Sequence, residues 1–167
     1  MSLAQQVKGL GGEHTPSPLG HRTVRLGLTT DLETTTAKNL FGVLGGDILM
    51  TGLYGRVTTE IGAGNAILQL QHTPTIGAVA VDLCAVIGAH IGADIVDTMY
   101  SITGAHGDAM VTDATAEGVA AQSFATNLDI LVPGIISLDV TGAISTGIIR
   151  WVIHWVPLDP ASRVVVL

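Results

Sequence analysis

Six histidines are the side chains with the widest chemical range in this sequence, because imidazole can bind a metal ion or transfer a proton near neutral pH. No two of them have the i, i+2 or i, i+4 spacing that places adjacent ligands on one face of a strand or helix. A site assembled from distant strands remains open, but the spacing favours no metal site and no cofactor. The histidines are His14, His21, His72, His90, His106 and His154.

Other candidate chemical groups also lack a complete motif. Asp94 and Asp97 could serve calcium in a loop, but the Asp-x-Asp-x-Asp-Gly pattern is absent. Ser145 lacks the first glycine of a Gly-x-Ser-x-Gly turn, and Cys84 on a predicted strand fits a packed thiol better than a reactive one. The run His106-Gly107-Asp108 is typical of a turn. We therefore predict that the protein has no catalytic residues and is not an enzyme.

The composition favours an assembled protein over a free monomer. The chain has 167 residues, enough for one domain, of which 47% are hydrophobic and only 13% are charged. Small monomers usually keep about a quarter of their residues charged. This chain has about half that fraction of charged residues, which indicates that much of its surface is covered by copies of the chain or by a larger assembly.

Charge and hydropathy exclude several classes of partner. The net charge of −7 argues against nucleic acid, which requires a basic face. The most apolar windows, 83–93 and 130–138, fall short of the roughly 18 apolar residues of a spanning helix. Residues 1–8 lack the basic start and apolar run of a secretory signal, and the single Cys84 cannot form an internal disulfide. We expect no membrane partner.

The first part of the chain differs in composition from the remainder. Residues 1–38 carry four basic and three acidic side chains, whereas residues 39–167 carry three basic and eleven acidic ones. The first segment also has no sustained apolar period. We predict an extended N-terminal arm over residues 1–37, of which residues 1–36 can be deleted without unfolding the body, and Arg22 and Arg25 are its candidate contacts to an acidic neighbour.

From residue 38 onward the apolar residues alternate, which predicts about eight strands in a β-sandwich or jelly roll. The domain is therefore assigned to residues 38–167. Leu49, Leu53 and Val57 are expected on one face of a long strand, and residues 79–87 are expected to form a separate strand. The window 83–96 fits a strand better than a helix, and 114–125 could hold a turn or two of helix. The strongest strand is 147–156, which places Ile149, Trp151, Ile153 and Trp155 on one face.

The opposite face of this strand mixes aliphatic and polar groups. A fully solvated face would be more polar, so a covering loop or a partner is expected there. Carbohydrate binding is a rival hypothesis, but sugars usually stack on exposed aromatic rings, and both tryptophans fall on the apolar face. The candidate interface residues on this strand are Arg150, Val152, His154 and Val156.

The order of several motifs resembles that of capsid decoration, or cement, proteins of tailed bacteriophages. The motifs are TGLYGRVTT at 51–59, VDLC at 81–84, YSITG at 100–104 and a closing segment at 150–159 that begins RW and ends WVPLD. The resemblance covers roughly residues 40–160 and rests on packing and turn residues. It implies a β-sandwich on the capsid exterior of a virion that binds the major capsid protein as an oligomer and stabilises the shell.

The sequence therefore predicts a structural virion protein that forms a homotrimer or homodimer. The alternative is a carbohydrate- or receptor-binding virion module, as part of a head fibre or associated with the tail. A hydrolase of unknown type is a third hypothesis, which the absent motifs disfavour.

Overall fold

The computed structural model describes residues 16–17, 20–23, 32, 37–113, 128–142 and 146–167. These residues contain no helix, and they form twelve strands, so the predicted all-β class is confirmed. In chain order the strands are β1 (Pro16–Ser17), β2 (Gly20–Thr23), β3 (Lys38–Leu44), β4 (Ile48–Thr59), β5 (Ile67–Pro74), β6 (Val81–Asp82), β7 (Met99–Ser101), β8 (Val111–Asp113), β9 (Asp129–Leu131), β10 (Gly134–Thr141), β11 (Ile148–Pro157) and β12 (Arg163–Val166).

The strands form two antiparallel sheets that share one core. The seven-stranded sheet has the order β1-β2-β11-β4-β7-β8, and β9 pairs with the first residues of β4. The five-stranded sheet has the order β12-β3-β10-β5-β6. Buried apolar side chains of both sheets belong to a single cluster, which is the arrangement that a β-sandwich requires.

The pair β4 and β11 forms the centre of the larger sheet. Ile149, Trp151 and Ile153 are fully buried and Trp155 nearly so, which confirms the predicted core face of this strand. Gly55 lies opposite Trp151 in the ladder. A Cβ atom at Gly55 would lie 2.8 Å from Ile149 and 3.0 Å from the Trp151 ring, so glycine leaves the space that the indole occupies.

A bulge explains the one error on this strand pair. The register shifts between His154 and Trp155, which pair with Gly52 and Met50, so Thr51 of β4 has no opposite residue. An extra residue moves the following side chains to the other face of the sheet. Met50 is therefore buried, whereas Leu49, which simple alternation places in the core, is only partly buried.

The strand predicted at 79–87 is wrong beyond the two residues of β6. From residue 83 to 91 the chain runs along the edge of β5 with irregular backbone. At every fourth position its backbone N–H donates a hydrogen bond to a carbonyl of β5 or of the residue that precedes β5. The side chains at these positions are all buried. A four-residue repeat along a strand edge also covers backbone groups that would otherwise be open to pairing. The bonds join Leu83 to Leu70, Ile87 to Leu68, and Ile91 to Ala66.

The predicted arm over residues 1–37 lies mostly outside the described residues, as do Arg25, Ser145 and the possible helix at 114–125. Its described parts are joined to the sandwich. Strand β2 pairs with β11, so Arg22 lies opposite His154 in the ladder. Leu32 is 1% exposed and belongs to the core cluster. A core side chain in this segment argues against removal of the arm at no cost to the body, which stays a prediction.

Candidate functional site

A cleft of about 230 Å³ opens at the end of the sandwich where β5 and β9 end and β6 and β10 begin. The backbone N–H of Thr75 donates to the carbonyl of Pro133 at 2.9 Å, which ties the β5–β6 loop to the β9–β10 turn. The cleft is therefore formed by both sheets and is held by backbone bonds. Its lining residues are His72, Pro74, Val81, Leu83, His106, Asp129, Ile130, Leu131 and Val132.

Two histidines and one aspartate supply the ionisable groups of this cleft. Nε2 of His72 lies 3.1 Å from the carbonyl oxygen of Val132, which can only accept, so this nitrogen donates. Burial lowers the pKa of His72, and the bond to Val132 opposes that shift in part. His106, which is half exposed, places Nε2 3.0 Å from Oδ1 of Asp129. Each imidazole thus has a structural partner.

The nearby thiol has the character predicted for it. Cys84 is buried, and its Sγ atom accepts a 3.5 Å bond from the N–H of Leu70. Burial raises the pKa of the Cys84 thiol, and the charge of Asp82 adds to the rise, so the reactive thiolate is disfavoured. Among the described residues, no group of three histidine, cysteine or acidic side chains could hold a metal ion.

The other acids singled out by the sequence hold loops in place. The Tyr100 hydroxyl donates to Asp94 at 2.5 Å, and Arg56 Nε donates to Asp97 at 2.7 Å. Burial, with the nearby charge of Asp94, raises the pKa of Tyr100, so this phenol remains protonated. In the predicted turn at 106–108, Asp108 accepts a 2.9 Å bond from the Thr103 hydroxyl.

Exposed aliphatic side chains surround the cleft. Their exposures range from 37% at Ile135 to 92% at Ile76. Val81, Ile130 and Val132 line the cleft, Ile76 and Val79 lie in the loop between two of its walls, and Ile135 is the second residue of the adjacent strand β10. We call these six residues the apolar end surface. It consists of Ile76, Val79, Val81, Ile130, Val132 and Ile135.

Sequence reasoning did not identify the apolar end surface, although two signals for it were present. Residues 73–81 and 130–138 are long stretches without a charged residue, and each crosses a turn. In β9 the exposed Ile130 is followed by the buried Leu131, so the outward side chain of this three-residue strand is aliphatic. A short strand that is apolar on its outer face indicates a surface that another molecule can cover.

The interface predicted on β11 is largely covered within the chain. Val152 is 5% exposed, and Arg150, His154 and Val156 are partly buried. The imidazole of His154 lies against Tyr54, with ring centroids 5.6 Å apart. The structure thus brings Arg150 and His154 to one face and Arg22 to the neighbouring strand, and the role of these residues in binding stays a prediction.

Arg150 lies opposite Arg56 in the β4–β11 ladder, and such like-charged neighbours repel each other. Asp97 compensates the charge of Arg56 through an ion pair. The Nε atom of Arg150 is buried and has no hydrogen-bond partner in the described part of the chain. Arg150 therefore carries a buried donor that the described residues leave unsatisfied.

Comparisons of the chain with protein-family models, with curated proteins and with solved structures found no match. The resemblance to capsid decoration proteins therefore stays a prediction from the sequence motifs. No helix in the described residues is long and apolar enough to cross a membrane.

Proposed function

We propose that this protein is a structural virion protein of the capsid decoration kind, which binds the outer surface of a tailed-phage capsid and stabilises the shell. The observation that carries the proposal is the apolar end surface on a β-sandwich that has few charged residues. Proteins that expose contiguous apolar patches usually bury them in an assembly. Stabilisation would come from apolar area buried across subunit joints, without any reaction.

The chemistry of the described residues supports a binding role over a hydrolytic one. The thiol of Cys84 is buried with a raised pKa, and Nε2 of His72 is held by the carbonyl of Val132. The same residues give less support to carbohydrate binding. Trp151 and Trp155 are buried in the core, so neither ring is available to stack on a sugar.

Binding to purified capsids tests this proposal directly. Capsids of the phage that encodes the chain, lacking this protein, are mixed with the full-length protein and imaged by electron cryo-microscopy. We expect saturable density at symmetry-related positions on the shell and a higher temperature of particle rupture. Absence of that density would contradict the proposal, and binding to a glycan array instead would favour the receptor-binding alternative.

A matched pair of arginine variants tests the predicted contact face. Arg150→Glu reverses a charge opposite Arg56, where a glutamate can form a cross-strand pair, so the fold should tolerate it. Arg163→Glu makes the same change at an exposed position of β12. We expect Arg150→Glu to lower capsid occupancy at equal melting temperature, with Arg163→Glu at the parental value. Equal occupancy for both would remove Arg150 from the contact.

A further inference from the structure

We infer that the outer edge of β12 is a docking site for an extended segment of another protein, which adds a strand to the smaller sheet. β12 is the last strand of that sheet, and among the described residues it pairs with β3 alone. A strand at a sheet edge presents unpaired backbone N–H and C=O groups, which a further strand can satisfy. This site lies beyond the proposed function, because it includes neither the apolar end surface nor β11. We call residues 163–167 the β12 edge.

The register shows which backbone groups of the β12 edge are open. The N–H of Leu167 donates to the carbonyl of Leu40 at 3.3 Å, in continuation of the ladder between β12 and β3. Hydrogen-bonded pairs recur at every second residue of an antiparallel ladder, so Val165 also directs its N–H and C=O to β3. Val164 and Val166 therefore direct theirs away from β3, where no described strand lies.

The side chains beside these open groups fit an added strand. Val164 is 3% exposed and belongs to the core cluster, whereas Val166 packs against that cluster and is only partly buried. An aliphatic side chain on an added strand would lie beside Val166 on the same face of the sheet and complete its burial. Arg163 is the one charged side chain of the β12 edge and stands at its first residue, so the rest accepts an apolar strand.

The other outermost strands carry features that discourage strand addition. β1 has two residues and begins with Pro16, which has no N–H, and β6 has two residues and ends at the exposed Asp82. Next to β6, residues 83–91 cover the edge of β5. β8 has three residues and ends at Asp113. β12 is longer than these three strands and contains neither proline nor an acidic residue, so it is the edge best suited to pairing.

A segment of another protein suits the β12 edge better than a second copy of the chain does. Each copy has a net charge of −7, and pairing of two β12 edges would bring two such bodies side by side. A single extended segment brings only its backbone and its own side chains. We therefore assign the occupant as an uncharged extended segment with an aliphatic residue at every second position, which places its apolar side chains on the core face.

The test removes one outward hydrogen bond at a time. Val166→Pro removes an N–H that points away from β3 and keeps the bonds of Val165 and Leu167 to β3, so the fold should persist. Val166→Ala is the matched control, since it shortens the same side chain and keeps the N–H. The probe is a short synthetic peptide with blocked ends that alternates threonine and valine. The same peptide with N-methylated valines is its control, because those valines would present their N–H groups to the β12 edge.

Binding is measured by amide hydrogen exchange and by nuclear magnetic resonance titration of the full-length protein, with thermal melting as a check on the fold. We expect the peptide to protect the amides of Val164 and Val166, which exchange freely in its absence. The N-methylated peptide should not protect them. Val166→Pro should bind the peptide about tenfold more weakly than Val166→Ala, the effect of one lost hydrogen bond.

Three results would overturn the inference: protection of both amides in the free protein, no added protection with the peptide, or equal affinities for Val166→Pro and Val166→Ala. If Val166→Pro melts well below the parent, the N-methylated peptide decides, because it removes the same set of bonds from the other strand. A parent that sediments as a dimer, and that Val166→Pro converts to a monomer, would make a second copy the occupant and would also overturn it. The measurement uses no capsid, so its failure leaves the proposed function unchanged.

Discussion

The outer face of β11 and the apolar end surface both carry aliphatic side chains, but in different environments. Val152 on β11 is 5% exposed, whereas Ile130 at the end surface is 62% exposed, although each lies on the outer side of its strand. The alternation of β11 indicates an interface, because its outer face is too apolar for water. On β9 the outward side chain is Ile130, and it does remain in contact with solvent.

The difference between these regions shows what a strand pattern can and cannot predict. Alternation identifies the face that points away from the core, because successive side chains lie on opposite sides of a sheet. It does not identify what lies over that face, since covering segments come from elsewhere in the chain. The comparison predicts that equivalent substitutions in the two regions will affect different properties, namely folding on β11 and association at the end surface.

The largest effect on stability is expected on the inner side of β11, which sets the scale for the comparison. Trp151→Ala removes a fully buried indole and should lower the free energy of unfolding by about 3–5 kcal/mol. Trp151→Phe is the control, since it keeps most of the ring and removes an indole N–H that has no partner among the described residues. Denaturant titration measures both. Parental stability for Trp151→Ala would show that the ring is exposed.

The next prediction applies the same substitution to both outer faces. Val152→Asp should lower the free energy of unfolding by about 3 kcal/mol, because it buries an unpaired carboxylate. Ile130→Asp should change it by no more than about 0.5 kcal/mol in the monomer, as exposed substitutions do. Urea titrations at concentrations low enough to dissociate any oligomer compare the two. Equal losses in the free energy of unfolding would mean that the two regions are covered to the same extent.

The larger features of this fold could be predicted from the sequence because each depends on local periodicity. The all-β class and the core face of β11 follow from alternation alone, and Trp151 and Trp155 were placed correctly. The path of residues 83–91 was not predicted. Their backbone hydrogen bonds to β5 recur at every fourth residue of this segment, and no regular secondary structure has that spacing. Strands β3 and β12 were not assigned individually, although their pairing closes one edge of the smaller sheet.

The candidate site was less predictable because it is formed by residues that are distant in sequence. The cleft brings His72 near Val132, which is sixty positions away, and His106 near Asp129. Each of these residues is unremarkable within its own segment. The bulge at Thr51 is similar, because it depends on how β4 pairs with β11 rather than on the sequence of either strand.

A substitution at Leu32 tests whether the N-terminal segment contributes to the stability of the sandwich, as the buried residues of β11 do. It is 1% exposed within the core cluster, so Leu32→Ala should lower the free energy of unfolding by about 2–3 kcal/mol. Leu158→Ala, at an exposed leucine, is the matched control and should have little effect. Thermal and denaturant melting report both. If Leu32→Ala melts like the parent, the segment is dispensable for folding, as its composition suggests.

The smallest expected effect is a pH dependence that originates at the cleft. Burial lowers the pKa of His72 below its usual value near 6.5, so the folded protein favours the neutral imidazole. As the pH falls through about 6.5, the unfolded chain takes up a proton at His72 before the folded chain does. The free energy of unfolding should therefore decline between neutral and mildly acidic pH, until the pH reaches the lower pKa of the folded state.

Two substitutions separate His72 from its neighbour in this titration. His72→Gln keeps an N–H donor for the Val132 carbonyl and cannot titrate, so its stability should vary less over this pH range than that of the parent. His106→Gln, at the half-exposed rim of the same cleft, is the matched variant at the second histidine. Urea titrations at several pH values give the slopes. A parental slope for His72→Gln would show that protonation of the buried imidazole does not oppose folding, and that the cleft is open to water at His72 as it is at Ile130.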